Sequence, residues 1–544
     1  MTIPRVDKKG CLAAGSPGSG VEAAAALDTS SLSAEVISLP EASTVENDSL
    51  LLEDPLVQEL PIDNMVWPGI SQVKSAFGPL KQNIVYVNSD IVEKGLVFTL
   101  KQGVFNHSFP LVMPEAIWSS FPDNLKKVVR DNIAHLASVE LGVMFNLKKI
   151  KYDTPLPQFK SFFVELVLKC LAYSGDCASG KTMDYISRLC NLEFSFDSQT
   201  PPYTTVDFAP EDRSVNTITF GKESLVSYGL CKEIGLNPLL VTVIEPDMDI
   251  VYRDEHLRSF ENKHKEDLRI QFEKEFEVQM HKIYNGLGDM NFYAHWGVDE
   301  TELGWSSQLT QYMFFLLPFC YSFKSKYMVF GNENSCDRYY YSKEGFKCYP
   351  VYDQSAEWIG HMNAMLHTMM NGRVKATSLV QSIQVIAVAK VLYQRYPELA
   401  KYQMSCHADS DSAEFNRWCN TCSKCARIYT FMKALGFDPA SVGLKDMFSL
   451  EFKKHFSLFS QTKDMRGFDG SGLGRDEQLF AFYLAAQRGA TGDLIDLFKK
   501  DFYEEAAARE EELRTDFFKV HKPLNVPPVL WKKIKPIFEE ELRK

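Results

Sequence analysis

One stretch of the chain, residues 215–245, constrains the fold more than any other. It begins with a β-rich run, "NTITF", and continues through a short turn, "GKES", into a helical run, "LVSYGLCKEIG". A second apolar run, "LLVTVI", follows and is typical of another strand. Further helical and strand patterns alternate up to residue 405. Because strands that alternate with helices form parallel sheets with helices on their faces, the sequence predicts an α/β fold over residues 213–405.

The length and the local composition predict further units on both sides of this fold. The chain has 544 residues, more than one core usually accommodates, so several domains are expected. Residues 1–60 are rich in Ala, Ser, Gly and acidic residues, which predicts a disordered tail. Residues 64–200 combine strand and helix patterns, which predicts an N-terminal α+β domain that ends at a Pro-rich polar stretch. Residues 441–544 have the pattern of a helical domain.

The charge and the apolar pattern argue against several classes of protein. The net charge of −12 argues against a general nucleic-acid binder, because contacts to phosphate backbones need many Lys and Arg side chains. No run of about 18 uncharged apolar residues is present, so we expect neither a membrane span nor a membrane partner. The first residues lack the apolar core of a secretory signal. A cytoplasmic protein is therefore expected, and its oligomeric state stays open.

The turn "TFGKES", residues 219–224, lies where α/β sheets bind their ligands, at the carboxyl end of a strand. A helix that begins near Ser224 directs its free N–H groups and the positive end of its dipole to this place, which favours an anion. Gly221 lets a ligand approach the backbone, and Lys222 adds a cation. The alternative is an ordinary helix start, in which Ser224 is the N-cap and Gly221 a turn residue. The Walker P-loop pattern is absent.

This turn resembles the "SGGKDS" loop of the PP-loop ATP pyrophosphatases, which grip the pyrophosphate end of ATP and release AMP and pyrophosphate. The resemblance implies a parallel-sheet (HUP-like) nucleotide domain over residues 213–405, with ATP and Mg²⁺ as cofactors. It also implies that the end of the strand "LLVTVI" meets the adenosine. Phe220 replaces the family's first Gly, and its side chain is expected to narrow the loop or limit its φ values. The resemblance implies nucleotide contacts at Thr219, Gly221, Lys222, Glu223 and Ser224, with catalytic roles for Lys222 and Ser224.

A second informative run, "YMVFGNENS", places four polar residues, 332–335, directly after a predicted strand. Packing alone gives little reason for four polar side chains at this place. The later run "YDQSAEW" enters a predicted helix, and plain N-caps are the alternative for Asp353 and Ser355. Both runs are therefore candidates for the same ligand site.

These runs resemble one PP-loop group, proteins similar to the UDP-N-acetylmuramoyl-L-alanyl-L-glutamate epimerases of bacterial cell-wall synthesis. That group has a Gly-Asn-Glu-x-Ser run and a later His-Gln-x-Ser run, and Asp353 stands in the place of the His. The resemblance covers roughly residues 215–482. It implies cofactor contacts at Asn332, Gln354 and Ser355 and makes Glu333 the candidate for the proton-abstracting base.

The resemblance implies a reaction in two stages. ATP adenylates a carboxylate, and the adenylate then acidifies the neighbouring Cα–H so that a glutamyl residue is epimerised. The expected partner is a small-molecule or nucleotide-sugar substrate, here one like a UDP-muramoyl dipeptide. Two alternatives stay open. One is a PP-loop enzyme that makes an amide, nitrile or thio product, as 7-cyano-7-deazaguanine synthases do, and the other is a non-catalytic nucleotide-binding protein.

Four of the twelve cysteines lie close together in the pattern C-x12-C-x2-C-x2-C. Thiolates spaced by two residues can bind one tetrahedral ion, and four thiolates suit structural zinc. An iron–sulfur cluster also takes four thiolates, and unmetallated thiols are the further alternative. His407 is a spare candidate ligand. We therefore predict a metal segment over residues 406–440 with the ligands Cys406, Cys419, Cys422 and Cys425.

Five other polar residues are weaker candidates. Lys375 and Arg427 have the charge to meet phosphates, although lone basic residues are usually solvated. Asp247 and Asp249 follow a predicted strand, which is typical either of a Mg²⁺ site or of a solvated loop. Glu477 lies near the start of a predicted helix, where an acid favours the helix dipole. The resemblance implies instead that Glu477 reaches the active site.

Overall fold

A computed structural model describes residues 74–543 apart from residues 82, 203–205, 207, 300 and 460–471. The predicted disordered tail, residues 1–60, lies outside the described residues. The strands are β1 (Lys74–Ser75), β2 (Ile84–Val92), β3 (Gly95–Gln102), β4 (Phe105–Val112), β5 (Lys149–Tyr152), β6 (Glu193–Ser195), β7 (Glu211–Thr217), β8 (Pro238–Ile244), β9 (Ile250–Tyr252), β10 (Glu255–Leu257), β11 (Met280–Asn285), β12 (Ser325–Phe330), β13 (Tyr340–Tyr341), β14 (Lys347–Cys348) and β15 (Lys375–Ser378).

Helices occupy most of the remaining described chain, and none among them is long and apolar enough to cross a membrane. They are α1 (Glu115–Ser120), α2 (Asp123–Met144), α3 (Lys160–Cys177), α4 (Thr182–Cys190), α5 (Lys222–Glu233), α6 (Glu261–Phe276), α7 (Gly288–Asn291), α8 (Gln308–Ser322), α9 (Ala356–Met370), α10 (Val385–Arg395), α11 (Pro397–Ala400), α12 (Ser423–Leu435), α13 (Gly472–Gln487), α14 (Asp493–Asp501), α15 (Tyr503–Ala508), α16 (Glu510–Phe518) and α17 (Pro528–Arg543).

A ten-stranded sheet organises these elements in the order β15-β12-β7-β8-β11-β4-β3-β2-β5-β6. The five strands from β15 to β11 run parallel to one another. The antiparallel pairs β11–β4, β4–β3 and β3–β2 then lead to the parallel strands β5 and β6. The prediction of an α/β fold with a mostly parallel sheet is confirmed.

Two apolar cores cover the parallel part of this sheet, and successive strand residues alternate between them. On β8, Leu240 belongs to one core and Val241 to the other; on β12, Val329 and Met328 divide in the same way. Because adjacent residues of a strand point to opposite faces, the two cores lie on opposite faces of the sheet. Helices α5, α10 and α12 supply buried residues to the first core, and α8 and α9 to the second.

The strand order places one switch point in the parallel part of the sheet. From β7 the chain adds β8 and then β11 on one side, whereas β12 pairs with the other edge of β7 and β15 follows it. Ligands of open α/β sheets bind outside the carboxyl ends of the strands at such a switch point. The fold therefore predicts a ligand site among the residues that follow β7 and β12.

The sheet runs on across the predicted boundary between residues 64–200 and residues 213–405. Strands β11 and β4 pair in it, and the N–H of Gly286 donates to the carbonyl of Pro110 at 2.7 Å. The two predicted units therefore share one sheet, while the domain boundaries themselves stay a prediction.

Candidate functional site

The turn after β7 closes tightly onto helix α5. Gly221 is the N-cap of this helix, with φ −68° and ψ 157°, and the helix begins at Lys222. The Oγ of Ser224 donates to the carbonyl of Gly221 at 3.0 Å and accepts from the N–H of Thr219 at 3.3 Å. The helix thus begins two residues before the expected start, Ser224 lies in its first turn, and the interpretation of Ser224 as the N-cap is wrong. The first N–H groups of α5 face the carboxyl edge of the sheet.

Phe220 adopts an unusual backbone conformation in this turn. Its φ of 59° lies in the left-handed region, which residues other than glycine rarely adopt. Its side chain is 1% exposed and packs edge-to-face on Phe272 of α6, with 5.8 Å between ring centroids. The turn therefore has a glycine-like backbone at the position where the resembling loop has glycine. The phenyl ring lies in the core, so the limit on φ that we expected from Phe220 is not observed.

Lys222 and Glu223 form an ion pair at the start of α5. Lys222 is 7% exposed, and its Nζ lies 2.5 Å from Oε1 of Glu223. A buried ammonium needs a partner of this kind, because desolvation of an unpaired charge is costly. The pair holds one cation at the helix end that attracts anions.

The turn after β12 packs directly against the turn after β7. A Cβ atom on Gly331 would lie 2.7 Å from the Cβ of Glu223, so glycine is required for this close approach. Asn332 is 2% exposed; its Nδ2 donates to the carbonyl of Gln354 at 3.0 Å, and its own carbonyl accepts from Oγ of Ser378 at 2.7 Å. These contacts join segments after β7, β12 and β15. We call residues 219–224, 331–336 and 353–355 together the polar junction.

Glu333 lies half-buried in the polar junction with two donors. The hydroxyl of Ser335 donates to its Oε1 at 2.7 Å, and the thiol of Cys336 donates to its Oε2 at 3.4 Å. Burial raises the pKa of Glu333, the nearby carboxylate of Glu223 raises it further, and Lys222 opposes both effects. A carboxyl group with a raised pKa is suited to proton transfer near neutral pH. Sequence reasoning missed Cys336, and its position one residue after the polar run is the one signal that points to it.

Residues 353–355 form hydrogen bonds with the starts of two helices, α9 and α8. Ser355 is the N-cap of α9 and accepts from the N–H of Trp358 at 3.1 Å, so the alternative of a plain N-cap describes it correctly. Asp353 does not cap this helix. Its Oδ2 accepts from the N–H of Leu309 at 3.2 Å, and burial raises its pKa to about 7. The carboxylate of Glu140 is a further cause of this rise.

A cavity of about 570 Å³ lies at the carboxyl ends of β8 and β11, beside the first turns of α6. Its strand side carries three acidic residues after β8, Glu245, Asp247 and Asp249, together with Lys282 of β11. Glu245 accepts from the hydroxyl of Tyr312 at 2.5 Å and from Nδ2 of Asn285 at 3.0 Å, and burial raises its pKa. The opposite side carries the basic residues Arg258, Lys263, Lys265 and Arg269. The volume is in the range of small-molecule sites.

Asp247 and Asp249, the two candidates for Mg²⁺, also line this cavity. Asp247 accepts from Nδ2 of Asn262 at 2.8 Å, and Asp249 lies 2.5 Å from Nε2 of His256. Each carboxylate has its own protein partner.

The four predicted cysteine ligands come together in one cluster with every Sγ within 4.8 Å of the others. The Sγ–Sγ distances are 3.6 Å for Cys422–Cys425, 3.7 Å for Cys419–Cys425 and 3.9 Å for Cys406–Cys422. Four thiolates at 2.3 Å from a tetrahedral zinc ion would lie about 3.8 Å apart. The cluster therefore fits one metal ion such as zinc. In an iron–sulfur cluster the four thiolates are divided over two or four irons, so they do not all lie around one ion, and this spacing fits such a cluster less well.

Backbone groups support the cysteine cluster, which we call the metal centre. N–H groups point at the sulfur atoms, from Ala408 to Cys406 at 3.2 Å and from Cys425 to Cys422 at 3.5 Å. Cys422 is also the N-cap of α12, so the same residue starts this helix. His407 is not among the residues of the cluster, and its Nδ1 lies 2.9 Å from Glu261.

The remaining candidates have other partners or positions. Arg427 donates to Glu477 at 2.8 Å, and Glu477 is 1% exposed, so these two candidates contact each other. Lys375 is exposed and is the first residue of β15, at the amino end of the strand. The switch point lies at the carboxyl ends of the strands, so the solvated alternative describes Lys375 better than a phosphate contact.

Comparisons of the chain with models of protein families, with curated proteins and with solved structures gave no match. The geometry of the polar junction, the cavity and the metal centre is therefore the basis of the functional argument.

Proposed function

We propose that the protein binds Mg·ATP at the polar junction and adenylates a carboxylate, and that epimerisation of a glutamyl residue follows. The observation that carries this proposal is the meeting of two polar turns, residues 219–224 and 331–336, at the topological switch point of the sheet. Ligands of α/β folds bind at this place, and the start of α5 offers N–H groups and Lys222 to an anion.

The protein contributes mainly position and charge to adenylation. Lys222 and the N–H groups at the start of α5 would hold the leaving pyrophosphate. Mg²⁺ enters with ATP and neutralises charge on its phosphates. The attacking carboxylate oxygen forms a bond to the α-phosphorus as the bond to pyrophosphate breaks.

The cavity beside β8 supports a nucleotide as the ligand. It lies at the end of the strand next to β7, and its volume of about 570 Å³ accommodates a nucleoside. Carboxylates such as Asp247 at its strand side are suitable acceptors for ribose hydroxyl groups.

Glu333 is the proposed base for the epimerisation. It lies in the same turn that approaches Glu223, and its raised pKa favours a proton-accepting group that is also able to return the proton. The resemblance to the glutamate epimerases supports this role.

The reaction is tested by incubating the full chain with Mg·ATP and UDP-N-acetylmuramoyl-L-alanyl-L-glutamate in D₂O. Water finally hydrolyses the acyl-adenylate to AMP and the free carboxylate. We therefore expect AMP and pyrophosphate by chromatography and one deuterium at the glutamyl Cα by mass spectrometry. AMP without deuterium would leave adenylation standing and overturn the epimerisation. A product with new nitrogen or sulfur, formed when such a donor is added, would favour the amide, nitrile or thio alternative.

A non-catalytic nucleotide-binding protein is the second candidate, and the ion pair of Lys222 with Glu223 favours it, because this carboxylate opposes the build-up of negative charge that phosphoryl transfer requires. Binding of Mg·ATP without AMP formation would support it. Lys222→Ala should weaken nucleotide binding at least about tenfold, as expected for the loss of a charged hydrogen bond of about 1.5–3 kcal/mol. Lys232→Ala is the matched control, because Lys232 is an exposed lysine at the other end of α5. Equal binding by both variants would contradict the placement of phosphates at this turn.

A further inference from the structure

We propose that the metal centre positions one wall of the cavity, so that metal binding and ligand binding are coupled. The wall is formed by residues 258–269, the first turns of α6 and the residues before them. The segment that holds it in place is residues 404–414, which starts two residues before the metal ligand Cys406. The coupling to ligand rests on the proposed function, whereas the ordering of the wall by metal does not.

Hydrogen bonds to backbone carbonyls connect residues 404–414 to the start of α6. The N–H of Phe260, the N-cap residue of α6, donates to the carbonyl of Ala408 at 2.9 Å. The hydroxyl of Ser259 donates to the carbonyl of His407 at 2.7 Å. Both acceptors lie within two residues of Cys406. The position of this ligand therefore decides where the first turn of α6 begins.

Side chains in the first turn of α6 contact the C-terminal end of residues 404–414. Nε2 of His264 donates to the carbonyl of Ala413 at 2.6 Å, and Nζ of Lys263 donates to the carbonyl of Glu414 at 3.1 Å. Lys263 and Glu414 both line the cavity. The segment thus contacts both the residues before α6 and the first turn of this helix.

Residues 404–414 and the chain on either side of them have little regular structure of their own. Within residues 401–422, the described chain has one short 3₁₀ turn, Asp411–Ala413, and no strand. A hydrogen bond from Ser412 to the carbonyl of Cys419, at 2.7 Å, connects the segment to the second ligand. Ordering such a loop costs conformational entropy, about 1–2 kcal/mol per residue for the backbone. A metal ion bound by Cys406 and by three cysteines beyond the loop offsets this cost.

The same segment also contacts the turn that is proposed to bind phosphate. The N–H of Met404 donates to the carbonyl of Phe220 at 2.8 Å. Residues 404–414 therefore contact both the wall of the cavity and the turn before α5. Loss of the ion is expected to loosen both at once.

Hydrogen–deuterium exchange on the full chain tests the ordering directly. We expect exchange of the amides in residues 258–269 to accelerate at least about tenfold when zinc is removed with a chelator, and to return to its earlier rate when zinc is added back. Amides of α14, at residues 493–501, are the internal control. Unchanged exchange at residues 258–269 after zinc loss, measured by metal analysis, would overturn the proposal.

A second variant keeps the experiment decisive if the chain unfolds without metal. His264→Ala removes one contact to the segment and leaves the four cysteines intact. We expect faster exchange at residues 258–269 with zinc still bound at one ion per chain. If exchange in the zinc-bound variant equals that of the wild type, the contact does not hold the wall and the proposal fails.

Nucleotide affinity then separates this proposal from the proposed function. For coupled sites we expect Mg·ATP to bind about fivefold or more weakly to the zinc-depleted chain, and zinc to be held correspondingly more tightly in the presence of nucleotide. Faster exchange with no nucleotide binding in either form would overturn the proposed function and the coupling to ligand but leave the ordering of the wall. Equal nucleotide affinity with and without zinc would overturn the coupling.

Discussion

The metal centre and the polar junction satisfy their polar groups in different ways. In the metal centre four sulfur atoms lie within 4.8 Å of one another, three of the Sγ–Sγ distances are 3.6–3.9 Å, and backbone N–H groups donate weakly to the sulfurs. In the polar junction Lys222 pairs with Glu223, and Glu333 accepts from Ser335. The first arrangement is built for an ion that belongs to the fold. The second is complete without a ligand, which suits a molecule that enters and leaves.

The largest expected loss of stability follows from removal of one ligand of the metal centre. Cys419→Ser should remove the ion and lower the free energy of unfolding by roughly 5 kcal/mol or more, because structural zinc in peptides binds with an apparent free energy of about 10–16 kcal/mol. Urea unfolding and metal analysis measure the two quantities. Cys177→Ser, at an exposed cysteine outside the cluster, is the control. Equal stability of both variants would contradict a structural ion.

The next largest effect concerns Phe220, the residue of the polar junction whose ring lies in the core. Phe220→Ala should lower the free energy of unfolding by about 3–5 kcal/mol, since truncating a buried phenylalanine leaves a cavity in the core. Phe415→Ala serves as the comparison, because Phe415 is 83% exposed. Thermal or chemical unfolding that shows the same small change for both variants would mean that the turn does not depend on this ring.

The free energy of unfolding should depend on pH through Asp353, which belongs to the polar junction. Burial raises the pKa of Asp353 from its ordinary 3.8 to about 7. The folded protein therefore holds a proton that the unfolded chain releases, and stability falls as pH rises from about 4 to about 7. The full shift corresponds to at most about 4 kcal/mol. Asp353→Asn should reduce this slope in urea unfolding followed against pH, whereas Asp90→Asn at an exposed position should not.

The smallest expected changes in stability come from alanine substitutions of Gly331 and Gly221, and they differ between these two glycines of the polar junction. Gly331→Ala should cost about 1–3 kcal/mol, because its Cβ would lie 2.7 Å from the Cβ of Glu223. At Gly221 the nearest atoms are 3.4 Å away and φ is negative, so Gly221→Ala should leave stability within about 0.5 kcal/mol. If Gly221 admits phosphates, this variant should still bind Mg·ATP more weakly. A stable variant with unchanged binding would remove Gly221 from the site.

The sequence predicted best what is encoded within short distances. The spacing of the four cysteines predicted the cluster, because three of them lie within one turn and the start of α12. The apolar runs predicted β8 and helices α3, α8 and α9. The start of α5 was misplaced by two residues because Ser224 is a better N-cap type than Gly221, yet its hydroxyl is used inside the first turn.

Strand β11 was missed for a physical reason. Residues 254–285 have the sequence pattern of one long charged amphipathic segment, with β11 at its end, although the structure divides the segment into β10, α6 and β11. Pro110 similarly weakened the signal of β4, because proline is rare inside central strands. Both strands depend on partners far away in the chain. The approach of Gly331 to Glu223 was equally invisible, because it exists only after β12 has paired with β7.

The pairing of β4 with β11 also has a consequence for the order of folding. During synthesis the strands from β2 to β4 leave the ribosome long before β11, so β4 presents an unpaired edge for that time. Exposed strand edges pair readily with other chains. Pro110 lacks an N–H group and makes this edge a poorer template. We therefore expect a truncated chain that ends before residue 280 to aggregate, and the complete chain to fold slowly through a late, long-range pairing.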